Sequence, residues 1–218
     1  MRKQITVPDS LNEITLGQYQ EYLKIQETIE DQNVLAMKMI EIFCGMEEDH
    51  IKMMKASSIA EVVTILSNMF DQKPSLLNRF KMGKVEYGFI PKLEDMSFGE
   101  YIDLDTYIGD FNNIHYAMNV LYRPIKQKIK SKYLIEDYTG ENPDFMKQMP
   151  MDAVLGSILF FYNLGIDLST TMMAYLEQPQ KEGENLVQQA ISQKDMDGIK
   201  VFGQSLRGIL DDLKISLN

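Results

Sequence analysis

The sequence predicts a mainly α protein: a helical, bundle-like body that carries a small antiparallel β element. Three observations lead to this fold class. Apolar residues recur at helical spacing over most of the 218 residues, which is typical of amphipathic helices packed on a core. Capping signals precede several of these stretches. The period changes to alternation only near residues 79–90 and, briefly, at the N-terminus, where strands are expected.

Composition and charge restrict the possible function classes. The chain has 22 Lys and Arg against 32 Asp and Glu, a formal net charge of -10, which argues against binding nucleic acid or anionic lipid over the whole surface. The single cysteine, Cys44, has no intrachain partner for a disulfide, as is typical of a reducing compartment. The first residues lack the apolar core of a signal peptide, so we expect an intracellular protein.

The first predicted elements are a strand and a helix. Residues 4–7 read as a short strand, and Pro8 suits the strand end because proline cannot donate to a sheet ladder. Thr15 and Gln18 then have the spacing of a capping box, in which two side chains satisfy the free N–H groups of a helix start. The sequence therefore predicts a helix that begins after Thr15.

Further helices are predicted before the β element. Residues 34–43 are apolar on most sides, which is typical of a largely buried helix. Ser58 and Glu61 have the spacing of another capping box, and apolar residues at helical spacing follow them up to Pro74. A short helix is also predicted from Leu76.

The predicted β element is a hairpin near residues 79–90. Its residues alternate through a turn that contains Gly83, which is a hairpin signal. Because an isolated hairpin is marginally stable in water, we expect the strand at 4–7 to pair with it and complete a small antiparallel sheet.

The next predicted helix starts in the same way as the first. Ser97 and Glu100 repeat the spacing of Thr15 and Gln18, and in both stretches a Gly lies inside the box and a Tyr follows it. An internal repeat, with helix starts near 15 and 97, and convergence on good capping both explain the match. Helical spacing then continues to about Leu121.

The most apolar part of the chain, residues 153–166, follows a connector-like stretch at 131–149. It is too short to span about 30 Å of hydrocarbon at about 1.5 Å per residue. A longer span would place Asp167 in lipid, which is costly. We therefore expect a buried core helix or a helical hairpin, and no membrane partner.

Two regions are predicted along the chain: a helical body with its small sheet over 1–177, and a linker with an amphipathic helical arm over 178–218. Phe202, Leu206, Ile209 and Leu213 share one apolar face of this arm. The face packs either on the body or in the groove of a partner, as an amphipathic helix does.

The residues that could carry chemistry lack the partners that chemistry needs. His50 and His115 have no second His or Cys at metal-ligand spacing, and no phosphate loop or nucleophile elbow occurs. Asp103 and Asp105 begin like a calcium loop, but the Gly and closing Glu are not at the required positions. The sequence predicts no catalytic residue, no cofactor and no metal. An enzyme that uses Glu100 and Asp103 would need a deep pocket that raises carboxylate pKa values.

A basic stripe at residues 123–132 contrasts with the acidic remainder. Its five basic residues, Arg123, Lys126, Lys128, Lys130 and Lys132, are among the 22 of the chain. If the stripe is extended, its alternating lysines share one face. With Phe202, Leu206, Ile209 and Leu213 it forms the predicted partner-binding set. A second copy or an acidic protein is the favoured partner, and a nucleic acid is the other candidate.

Four stretches together resemble a group of bacteriophage proteins. They are ITLGQY (14–19), YGFIP (87–91), FGEYIDL (98–104) and VLYRP (120–124). This combination is similar to small helical proteins from the structural gene blocks of tailed bacteriophages, including tail assembly chaperones and minor head-tail proteins. The stretches are structural signatures, and no site residue is transferred from them.

The resemblance implies a non-enzymatic role in virion assembly or as a minor virion component. The implied partners are other phage structural proteins and the chain itself, and the implied location is the cytoplasm of the infected host or the virion. The alternative is a small regulatory module that binds nucleic acid through residues 123–132.

Overall fold

A helical body and a four-stranded sheet form the part of the chain that the structure describes. The structure is a computed structural model, and it describes residues 5–130, 132–176, 201 and 204–211. The helices are α1 (Leu16–Thr28), α2 (Gln32–Cys44), α3 (Glu48–Lys52), α4 (Ala56–Phe70), α5 (Phe98–Tyr107), α6 (Ile114–Leu121) and α7 (Met151–Leu176). The strands are β1 (Arg79–Met82), β2 (Val85–Phe89), β3 (Tyr122–Ile129) and β4 (Lys132–Ile135). The predicted mainly α class with a small antiparallel β element is confirmed.

The sheet has the strand order β1-β2-β3-β4, and each neighbouring pair is antiparallel. The predicted hairpin is confirmed as β1 and β2. Gly83 has a φ of 57° in its turn, a left-handed conformation that glycine adopts without strain. The strand predicted at 4–7 is wrong for its described residues, because residues 5–7 lie outside any strand. The basic stripe fills that place as β3, which puts Tyr122 opposite Phe89.

Tyr122 explains why β3 takes this place. Its side chain is fully buried, and its ring centroid lies 5.2 Å from that of Phe89. The hydroxyl donates to the Leu77 carbonyl at 2.7 Å and lies 3.0 Å from Ser157 Oγ. One side chain therefore ties the sheet to the segment before β1 and to α7.

One core cluster joins the helices to the inner face of the sheet. Aromatic rings of α1, α2 and α4 meet in it, with centroids 5.1–6.4 Å apart among Tyr19, Tyr22, Phe43 and Phe70. The backbone of Ser75 crosses α7 closely at Gly156, where a Cβ would lie 2.5 Å from its carbonyl oxygen. The helix predicted from Leu76 is wrong, since residues 72–77 are irregular chain.

Two of the three predicted capping boxes form. Thr15 with Gln18 begins α1, and Ser97 with Glu100 begins α5. The box predicted at Ser58 is wrong, because α4 starts earlier, after Lys55, with no side-chain cap. Ala56 is a strong helix former, and it extends the helix past the capping signal.

The apolar stretch predicted to be core forms the first part of α7. Within the described residues, Met151–Leu168 is long and apolar enough to cross a membrane by length and composition, with a mean hydropathy of 1.3, and half of it is buried. Ala153, Val154 and Ile158 are completely buried in the core cluster. Residues 177–200 of the predicted linker and arm lie outside the described residues.

Candidate functional site

The first turn of α5 presents an exposed apolar face. Phe98, Tyr101 and Ile102 are 78%, 55% and 46% exposed. Their spacing of i, i+3 and i+4 places them side by side on one face of the helix. Large aromatic side chains on a contiguous exposed patch are typical of a surface that binds another protein.

The opposite face of α5 is firmly attached to the body. Arg123 Nη1 lies 2.7 Å from Glu100 Oε1, and both side chains are buried. Burial by itself would raise the pKa of Glu100, but hydrogen bonds from Ser97 and the guanidinium of Arg123 together hold that pKa below its usual range. Leu104 and Ile108 are buried on the same side. The apolar face is therefore exposed on a well-anchored helix.

Acidic side chains lie before and after this face along the chain. Glu94 and Asp95 precede it, with Asp95 paired to Lys92 at 3.5 Å, and Asp105 continues it one turn further along the helix, all three exposed. Asp103 points elsewhere, because its carboxylate accepts a hydrogen bond from the Tyr138 hydroxyl at 2.6 Å. Among the described residues no group of three His, Cys, Asp or Glu side chains could hold a metal ion.

The matching start of α1 has its equivalent face covered. Leu16, Tyr19 and Gln20 occupy the positions of Phe98, Tyr101 and Ile102, and all three are buried. A 3-10 turn precedes each start, at Leu11–Glu13 and at Leu93–Asp95. The two starts thus share their local structure and differ in what packs on them.

The chain at the end of the 3-10 turn Pro143–Gln148 and just after it covers the beginning of α1, while Phe70 and Phe111 pack on Tyr19. The Leu16 N–H donates to the Met149 carbonyl at 2.9 Å, and the Met151 N–H donates to the Ile14 carbonyl at 3.0 Å. A Cβ on Gly17 would lie 3.1 Å from the Lys147 carbonyl oxygen, so glycine permits a close approach of backbone to helix.

No described atom covers the same place on α5. Gly99 is the counterpart of Gly17, yet a Cβ there would have no atom of the described residues within 4 Å. Its backbone is not left-handed either. Neither intrachain packing nor backbone conformation in the described chain explains the glycine.

The basic stripe runs along β3 and into β4, but its lysines do not share one face, because Lys128 is opposite Tyr133 whereas Lys132 is opposite Ile129. Three of its five charges are paired within the chain. Arg123 is buried against Glu100. Lys126 lies 3.0 Å from Asp137, and Lys128 is hydrogen-bonded to Glu86. Lys130 and Lys132 are exposed and have no ion pair among the described residues. Arg123 therefore positions α5 and is not available as a surface contact, which corrects its predicted role.

The end of the β3–β4 hairpin exposes two large apolar side chains. Ile129 is 58% exposed and Leu134 is 56% exposed. Gln127 pairs with Leu134 and Ile129 with Lys132, so Ile129 and Leu134 lie on the same face of the hairpin. With Lys130 and Lys132 they form what we call the hairpin tip.

The predicted apolar face of the C-terminal arm is only partly described. Leu206 and Ile209 are buried in the core cluster, so they pack on the body, one of the two arrangements that the sequence left open. Ser205 Oγ donates to the Gly109 carbonyl at 3.4 Å, which places the segment beside the end of α5. Phe202 and Leu213 lie outside the described residues.

The isolated chemical groups do not combine into a reactive site among the described residues. His115 is buried beside Asp144, with 3.5 Å between Nε2 and Oδ1, and its Nδ1 has no hydrogen-bond partner within the described part of the chain. Burial, followed by the nearby Lys147, lowers its pKa. Burial raises the pKa of the Cys44 thiol, so it is a poor nucleophile.

Two of the open clefts on the described residues have charged side chains in their walls. The larger, about 780 Å³, lies beside Arg123 and has Tyr87, Glu136 and Phe145 in its walls. The smaller, about 430 Å³, contains Asp152, whose pKa is raised by burial. The candidate catalytic acids of the sequence were Glu100 and Asp103. Glu100 instead forms an ion pair with Arg123, and Asp103 accepts a hydrogen bond from Tyr138.

The exposed face of α5 and the hairpin tip are thus the surfaces on which a function can be argued. Sequence reasoning missed the first, because Phe98, Tyr101 and Ile102 have the spacing of an ordinary core-facing helix. Comparisons with protein-family models, with curated proteins and with solved structures find no match to this chain.

Proposed function

We propose that this protein is a non-enzymatic bacteriophage protein that acts through protein–protein surfaces in virion assembly or as a minor virion component. Within this role, it acts either in the manner of a tail assembly chaperone or as a component of a head-tail ring. The observation that carries the proposal is the exposed apolar face of α5. The phage context comes from the sequence resemblance.

The face has the properties of a binding surface. Phe98, Tyr101 and Ile102 expose large apolar areas on a helix that Glu100 and Arg123 hold in place. A rigid aromatic side chain loses little conformational freedom when a partner covers it, which is why such residues dominate interface energetics. The exposed carboxylates of Glu94 and Asp105, on either side of the face along the chain, favour a basic partner segment.

The nucleic-acid alternative has no comparable support. Phosphate binding needs free cations, whereas Arg123, Lys126 and Lys128 each contact a carboxylate of this chain, which leaves two cations of the stripe, Lys130 and Lys132, without an ion pair among the described residues.

The test is assembly in the infected host with a phage that encodes Phe98→Asp. We expect the variant chain to accumulate at the normal level and complete particles, counted by electron microscopy, to fall at least tenfold. Met53→Asp is the matched control, because Met53 is an equally exposed apolar residue far from α5 in sequence. Normal particle numbers with Phe98→Asp would contradict the proposal.

A further inference from the structure

We propose that the exposed face of α5 is the docking site for the hairpin tip of a second copy of this chain. In this contact Ile129 and Leu134 of one copy pack on Phe98, Tyr101 and Ile102 of the next. The inference deepens the proposed function, on which it rests, by naming a partner for the face that carries it.

The start of α1 shows what such a face accommodates. There the backbone of Lys147 comes close to Gly17 and the Met149 carbonyl accepts from the Leu16 N–H, while other parts of the chain cover Tyr19 and Gln20. Gly99 keeps the same room on α5 with nothing from the described chain in it. Glycine weakens a helix relative to alanine, so an open Gly99 is explained if a partner's backbone approaches closely there.

The hairpin tip has the chemical properties expected of a group that docks on the face of α5. The hairpin tip combines two exposed apolar side chains with the exposed cations Lys130 and Lys132. The face of α5 has the exposed anions Glu94 before it and Asp105 one turn further along the helix. The two surfaces are complementary in both polarity and charge, in a molecule whose net charge of -10 otherwise opposes self-association.

The hairpin tip lies too far from α5 of its own copy to dock there, so the proposed contact joins two copies. Arg123 lies beside α5, and Ile129 is six residues further along β3, so about 20 Å of strand separates the hairpin tip from its own α5. Each copy would then offer one hairpin tip and one face of α5. A head-to-tail contact of this kind closes into a ring or continues as a filament.

The test uses two complementary variants, measured by light scattering across a range of protein concentrations. Phe98→Asp removes the α5 face and keeps the hairpin tip, whereas Ile129→Asp does the reverse. The wild type is expected to grow in mass with concentration, and each variant alone to stay monomeric. Because each variant keeps the surface that the other lacks, an equimolar mixture is expected to form a heterodimer and nothing larger.

Several results would overturn the inference. These are a wild type that stays monomeric at every concentration, a single variant that associates as the wild type does, or a mixture that remains monomeric. Met53→Asp is the control for added surface charge and should leave the mass distribution unchanged. Thermal unfolding of each variant establishes that it is folded, as expected for substitutions at exposed positions.

Gly99→Ala separates folding from docking. In the free chain alanine fits without contact, so the melting temperature should rise, while self-association should weaken at least tenfold because the Cβ occupies the docking space. Unweakened association of Gly99→Ala would contradict the close approach at this glycine.

The outcomes also distinguish this inference from the proposed function. A wild-type chain that is monomeric, together with loss of particles for Phe98→Asp, would overturn self-docking and leave the assembly role in place. Association in solution together with normal particle numbers for Phe98→Asp would overturn the assembly role alone.

Discussion

Arg123 Nη1 lies 2.7 Å from Glu100 Oε1, and this buried ion pair joins the beginning of β3 to the first turn of α5. Glu100 also accepts the Ser97 N–H at 2.7 Å, so the same carboxylate completes the capping box of α5. One side chain therefore fixes both the start of the helix and its attachment to the sheet. Because this attachment holds one side of α5 against the body, the side that carries Phe98 and Tyr101 faces outward.

Replacing Glu100 by Gln is expected to destabilise the chain by about 3 kcal/mol, because it leaves the buried guanidinium without its counter-charge. Urea unfolding measures the loss. The matched control is Asp95→Asn, which removes the exposed partner of Lys92 and should cost less than about 1 kcal/mol. Equal losses of unfolding free energy for the two variants would show that the buried Glu100–Arg123 pair stabilises the fold no more than the exposed pair does.

Acid should weaken the fold through the same carboxylate. The folded-state pKa of Glu100 is lowered from 4.5, so ionised Glu100 stabilises the fold fully above pH 4.5, and that contribution is lost as the pH falls through the folded-state pKa. Unfolding free energies measured from pH 6 to pH 3 should fall less steeply for Glu100→Gln than for the wild type. Parallel curves would contradict the assignment.

His115 predicts a second, separate pH dependence. Its folded-state pKa is lowered from 6.5 because burial, followed by Lys147, disfavours the imidazolium, against the opposing effect of Asp144 and Asp110. The unfolded chain then binds the extra proton more readily, so stability is lost as the pH falls through 6.5. Between pH 7.5 and pH 5.5, His115→Gln should lose less unfolding free energy than the wild type. An equal loss of unfolding free energy in His115→Gln and the wild type would contradict this role of His115.

Gly88 has a steric reason to be glycine. A Cβ there would lie 2.4 Å from Tyr133 Cε2, because the Tyr133 ring crosses β2 to donate its hydroxyl to the Phe89 carbonyl at 2.8 Å. Gly88→Ala should therefore destabilise the chain by about 1–3 kcal/mol, the usual cost of overpacking. In a Tyr133→Ala background the same substitution should cost far less. A double-mutant cycle by urea unfolding measures this coupling, and an additive result would contradict it.

Local signals predicted the parts of the fold that depend on neighbouring residues. The boxes at Thr15 and Ser97 and the β1–β2 hairpin are set within a few residues of chain, and they form as predicted. The pairing of β2 with β3 is not local. β3 carries Lys126 and Lys128 of the basic stripe, yet its first residue, Tyr122, is buried in the core.

The candidate site shows the same limit. Thr15 and Ser97 begin nearly identical stretches, and nothing within either one reveals that Lys147 and Met149 pack on the first alone. The surroundings of Leu16 are therefore decided by a segment far along the chain, whereas no described residue packs at the equivalent place on α5. Likewise, the sequence placed Arg123 among surface contacts because its partner Glu100 belongs to another element.

The junction of α6 and β3 gives the hairpin a mechanical role. α6 ends at Leu121 and β3 begins at Tyr122, with no residue between them that could act as a hinge. Leu121 and Tyr122 are both fully buried, and close-packed interiors transmit displacement with little compression. A displacement of the β3–β4 hairpin at Ile129 would therefore be transmitted through the buried residues Leu121 and Tyr122 to α6.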